Sequence, residues 1–133
     1  DYFTFFSDNA KVTYNWPKSY MMGDKTISTF REFKKSLDRF WYYAENHSFD
    51  LEKPTVTLNN ELATVQVTLY ERYTMSGYTF SNKAEQEYRF AKKDGKLQIV
   101  EFLNTVTDIS DQEYFNCVEA LNKKSPKKNK KKK

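Results

Sequence analysis

Residues 62–73 read LATVQVTLYERY. Ala63, Val65, Val67 and Leu69 take every second position, so in an extended chain their side chains share one face of a sheet. The next residue in phase is Glu71. Either the strand carries a carboxylate into an apolar interior, or the alternation stops because the core stops. Burying an unpaired carboxylate is costly, so a break at Glu ordinarily marks the edge of a core.

The neighbouring segments extend the pattern. Asn59-Asn60 turns the chain into this strand, and Ser76-Gly77 turns it out again. YTFSNKAEQEYRFAKK (78–93) forms the next strand, and KLQIVEFLNTV (96–106) the last. Asp94-Gly95 between them is a tight-turn signal, because both residues tolerate positive φ. Upstream, HSFDLEKPTVTLN (47–59) is a strand with a break point at Pro54. Successive hairpins of this kind make an antiparallel meander.

Before the meander, residues 26–45 predict an amphipathic helix. Ile27, Phe30, Phe33, Leu37, Phe40, Trp41 and Ala44 recur at three- and four-residue intervals. Asp24 or Thr26 could cap it, and Thr29 with Glu32 has the spacing of a capping box. DYFTFFSDNA opens the chain with a helical turn ending near residues 7–9. KVTYNW then alternates, with Val12, Tyr14 and Trp16 on one face, until Pro17 stops it; PKSYMMGD is a loop. Ser110 with Glu113 is a second capping-box pattern, ahead of a short helix carrying Tyr114, Phe115, Val118 and Leu121.

Composition narrows the function classes. The net charge of +4 comes from the end of the chain: residues 123–133 hold eight Lys and no acid. Without them the balance is 14 basic against 18 acidic residues. The chain reads as one mildly acidic domain, residues 1–122, with a disordered lysine-rich tail, 123–133. That tail suits a non-specific acidic partner, and it lacks the interleaved aromatics that base stacking needs. A single cysteine, Cys117, excludes an internal disulfide and a cysteine-based zinc site. With one His as well, no metal or cofactor is expected. No apolar run is long enough to span a bilayer. The opening at Asp1 reads as a processed product or a piece of a longer chain, either cytoplasmic or exported.

Three segments carry a resemblance. FFSDNAKVTYNW looks like the lead into the first strand of the nuclear transport factor 2-like superfamily. MGDKTISTFREFKKSL resembles its glycine-led helix, and EQEYRFAKKDGKLQIVEF its final hairpin. The match covers roughly residues 3–105. It implies an α+β fold: a strongly curved, antiparallel-rich sheet wrapped around helices, as a cystatin-like cone with a central cavity. Members usually begin with a long helix that closes one side of the cone, and this chain starts too late to supply all of it. Here the C-terminal helix or a partner would cover that side. The superfamily includes SnoaL-like cyclases, ketosteroid isomerases and dehydratases as well as non-enzymatic domains.

Within that frame the inner face offers Glu71, Gln86 or Asn82, and Glu101, with Tyr14 and Trp16 from the first strand. A desolvated carboxyl could act as general base, so Glu71, Glu101 and Tyr14 are the catalytic candidates. Tyr14, Trp16, Trp41, Val67, Leu69, Gln86 and Tyr88 are the ligand-binding candidates. Val100 and Phe102 leave two readings of the last strand: buried on both faces, or shifted in phase by a bulge that would turn Glu101 outward. His47 is expected to serve the helix C-terminus. Asn46-His47-Ser48 spells a glycosylation sequon, and Cys117 reads as a packed residue. The leading function is a non-catalytic module that binds a small apolar molecule or a protein, with a homodimer through the sheet. A SnoaL-like or ketosteroid-isomerase-like enzyme is the alternative, and an assembly protein with a basic tail the third.

Overall fold

The computed structural model describes residues 2–17 and 25–124. All but Pro17 of the expected loop at 17–24, and nearly all of the lysine-rich tail, lie outside the described residues. After a 3₁₀ turn, Tyr2–Phe5, come β1 (Phe6–Asn15), β2 (Lys25–Thr29), α1 (Phe30–Tyr43), β3 (Glu45–Leu51) and β4 (Thr55–Asn59). β5 (Leu62–Met75), β6 (Tyr78–Lys93), β7 (Lys96–Asp108) and α2 (Asp111–Lys124) follow. One curved sheet runs β2-β1-β7-β6-β5-β3, and β4 also pairs with β5. The β5-β6-β7 meander is antiparallel as read from the sequence, while β1 joins β7 in parallel. Asn60, Ser76-Gly77 and Asp94-Gly95 adopt positive φ at the three hairpin turns.

The predicted helix starts four residues late. Residues 25–29 instead form β2 against the end of β1. The capping box decides the boundary: the Thr29 side chain accepts from the Glu32 N–H, and Glu32 accepts from the Thr29 N–H at 3.0 Å. Ile27 therefore lies on an edge strand, 59% exposed. Thr29→Ala is expected to cost about 1 kcal/mol, read as a lowered midpoint in urea unfolding.

The core lies between α1 and one face of the sheet. Phe3, Phe6, Val12, Phe33, Ile99 and Phe102 pack together there. A bulge makes this possible. Arg89 pairs with Glu101 while Phe90 pairs with Ile99, so Val100 is the extra residue. Ile99 and Phe102 can then both point inward, and both are buried. Of the two readings of this strand, the bulge is the one that holds.

α2 packs on the opposite, outer face rather than over the open side of the cone. Tyr114 Oη meets Ser48 Oγ at 3.0 Å. Asp111 accepts from Ser81 Oγ at 2.8 Å and from Arg72 at 3.4 Å. These bonds hold the Asp111 carboxyl below the usual range. A carboxyl with a depressed folded pKa stabilises the fold above its unfolded pKa, and loses that contribution as pH falls through the folded value. Stability should therefore decline below about pH 3.9, the unperturbed Asp value. Asp111→Asn should flatten that decline in urea unfolding at stepped pH.

Candidate functional site

The strand registers lay out the inner face as rows. One row runs Val12, Phe102, Tyr88, Val65, Val56 across β1, β7, β6, β5 and β4. The next holds Tyr14, Asn104, Gln86 and Val67; then come Val106, Ala84, Leu69 and Leu51. Asn82, Glu71 and Phe49 follow. Two polar rows thus flank an apolar one. Helix α1 covers part of this surface: Phe33 sits over Phe102 at 5.5 Å and Phe40 over Tyr73 at 4.8 Å. The β5 side stays open. Val65, Val67 and Leu69 are half-buried, and Leu51 and Val56 are more than half exposed.

Glu71 is on this inner face and is not unpaired. Its Oε2 lies 2.6 Å from His47 Nε2, and both side chains are about one-fifth exposed. The sequence asked whether the strand buries a carboxylate or leaves the core at Glu71; it does neither fully, and a partner on β3 resolves the cost. His47 therefore does not serve the helix end as expected. His47 shares the inner-face phase of Phe49 and Leu51 on β3 and lies between Phe40, Phe49 and Tyr73. The alternation of His47, Phe49 and Leu51 is the signal in the sequence that places it there.

Tyr14 faces inward and stacks on Trp16 at 4.7 Å. Burial raises its hydroxyl pKa most; the charges of Tyr88 and Glu71 add to this, and a hydrogen bond with Asn104 opposes it. At pH 7 it is a neutral hydroxyl that can donate. Trp16 is itself tied to Thr26 Oγ1 through Nε1 at 2.8 Å. Tyr88 donates to Gln86 Oε1 at 3.2 Å and meets Tyr2 Oη at 2.8 Å, a chain of three polar groups. Burial raises the pKa of both tyrosines.

Two of the expected residues do not join. Glu101 points outward and pairs with Arg89 at 2.8 Å, because the Val100 bulge reverses its phase. Trp41 is 47% exposed and leans on Tyr2 and Phe3 at the end of α1, away from the β5 floor. Asn104 was not anticipated. It is 4% exposed, and its Oδ1 is buried without a hydrogen-bond partner. Continuing the phase of Phe102 past the bulge would have found it.

A hollow of about 450 Å³ lies on the outer face, not in the cone. Glu52, Lys53, Gln66, Thr68, Glu87 and Leu103 are among its walls, which also touch Val67 and Gln86. Gln66 and Arg89 hold the Glu87 carboxyl below its usual range. Among the described residues no three His, Cys, Asp or Glu side chains converge as a metal site, and no helix is long and apolar enough to cross a membrane.

Solved structures with this architecture fix the fold. An NTF2-like protein of unknown function in nutrient uptake from Rhodospirillum rubrum aligns with a TM-score of 0.56 at 13% identity, over 78% of this chain and 80% of that one. An NTF2-like protein with a cystatin-like fold from Novosphingobium aromaticivorans gives 0.57 at 13%, over 83% and 70%. The chain has the nuclear transport factor 2-like fold. A Novosphingobium aromaticivorans protein described as the beta subunit of an aromatic-ring-hydroxylating dioxygenase gives 0.57 at 10%, over 82% and 76%. No protein-family model matches the sequence, and no curated protein matches it. The nuclear transport factor 2-like cone is thus shared at identities that speak for architecture alone.

Proposed function

We propose that this protein is a non-catalytic binding module that takes a small, mostly apolar molecule against the open inner face of β5 and β6. One observation carries the reading. Val65, Val67 and Leu69 form an apolar strip along β5 that α1 leaves partly exposed, with Gln86, Asn104 and Tyr14 in the row of Val67 and Glu71 with His47 beyond Leu69. Apolar floors with a few convergent polar groups are the usual design of small-molecule sites. The buried, unpartnered Asn104 Oδ1 adds an acceptor for a ligand hydroxyl or N–H. Titration with N-phenyl-1-naphthylamine, a neutral fluorescent probe, tests this: saturable enhancement at one site per chain is expected, and none would refute it. A homodimer through the sheet is the second arm of the reading.

The Glu71–His47 contact supports one alternative, an isomerase-like or dehydratase-like enzyme. A carboxylate oriented by His47, with a neutral Tyr14 hydroxyl on the same face, has the parts needed to move a proton next to a carbonyl. Under this alternative, deuterium exchange α to the carbonyl of cyclohexanone in D2O should be accelerated, and Glu71→Gln should abolish the acceleration. Equal rates with and without protein would remove it for that ketone class.

A further inference from the structure

We propose that the inner face selects a cationic ligand, an apolar amine whose ammonium group sits on Glu71 and whose body lies along Leu69, Val67 and Val65. This rests on the binding-module reading and names the chemical class that the site takes. The charges of the face carry it. Across the four inner-face rows from Val65 to Glu71, the strands set no Lys or Arg among the described residues. The charged side chains in those rows are Glu71 and, at the exposed end of β7, Asp108. Glu71 is the one that adjoins the apolar strip. Successive inner positions on a strand are about 6.8 Å apart, so the strip extends roughly 20 Å from Glu71 to Val65, room for an arylalkyl or long alkyl body.

The ligand's charge follows from what Glu71 lacks. His47 Nε2 meets Oε2, and no other hydrogen bond to this carboxyl forms among the described residues. The side chain is 19% exposed, so water still serves part of it. A ligand body laid on Leu69, the next inner position of β5, displaces that water. A carboxylate dehydrated without a new partner is costly, so the ligand has to bring the donor. An ammonium brings a donor and the opposite charge together, which makes the stronger kind of hydrogen bond. A ligand carboxylate would meet like charge, with no Lys or Arg in these rows to offset it. The aromatic rings discriminate in the same sense. Phe49, 57% exposed, stands directly opposite Glu71, and Phe40 and Tyr73 lie 5.4 and 6.2 Å from the His47 ring. An aromatic face attracts an ammonium and repels an anion.

Displacement of N-phenyl-1-naphthylamine by 4-phenylbutylamine, 4-phenylbutanol and 4-phenylbutyrate tests the assignment on one skeleton. At pH 8 an ordinary imidazole is uncharged while the amine keeps its proton. The amine should bind at least tenfold more tightly than the alcohol, and the acid most weakly. Glu71→Gln should reduce the amine-to-alcohol ratio below twofold. That ratio compares two ligands on one protein, so a loss of folded fraction does not change it. Glu85→Gln, which removes an exposed carboxylate from the outer hollow, should leave the ratio as it is. Absence of probe binding overturns the proposal together with the binding-module reading. Probe binding with the amine and the alcohol alike, or an amine preference that survives Glu71→Gln or falls equally with Glu85→Gln, overturns the amine assignment and leaves an apolar-ligand site.

Discussion

Phe102→Ala is expected to lower the unfolding free energy by about 3–5 kcal/mol, the usual cost of emptying a phenylalanine site in a packed core. Phe102 is 1% exposed on β7, the strand between β1 and β6. Its ring stacks on Tyr88 at 4.6 Å and meets Phe33, Tyr14 and Phe6 at 5.5, 6.0 and 6.3 Å. It therefore joins the 3₁₀ end of β1, the helix and the meander, and rigid neighbours on all sides prevent collapse of the cavity. Urea unfolding reads the loss directly. A change below about 1 kcal/mol, typical of surface positions, would mean that Phe102 does not hold α1 to the sheet.

The second large effect concerns binding. Leu69→Lys should weaken N-phenyl-1-naphthylamine binding at least about tenfold, equivalent to about 1.4 kcal/mol. It places an ammonium in the apolar row between the two polar rows of the inner face. Thr68→Lys, one residue away and on the outer hollow, should leave binding unchanged. The contrast between adjacent positions separates loss of the site from loss of the fold. Equal losses for both variants would indicate that the probe reports exposed core rather than a site.

Much of the fold could be read from the sequence, because its signals are local and redundant. The alternation of residues 62–69, the positive-φ pairs Ser76-Gly77 and Asp94-Gly95, and the aromatic spacing of α1 each specify an element without help from distant residues. The start of α1 was ambiguous because three caps competed, and only pairing of 25–29 with β1 resolves them. The site was less legible, because it depends on phase changes. Val100 reverses Glu101, and the pairing of β3 with β5 brings His47 to Glu71 across strands far apart in sequence. A bulge leaves composition unaltered and moves every side chain beyond it to the other face. Tyr14, Val67, Leu69, Gln86, Tyr88 and Glu71 sit where the alternation put them, since the register is unbroken from Lys11 to Asn15 on β1 and along the whole β5–β6 pair.

The most direct test of the inner face as the binding surface is a methyl carbon-13 NMR titration with N-phenyl-1-naphthylamine. The account predicts saturable shifts at the Val65, Val67 and Leu69 methyl groups, with Leu103 in the outer hollow unmoved. Shifts confined to Leu103 and Thr68 would contradict it and place binding on the other side of the sheet.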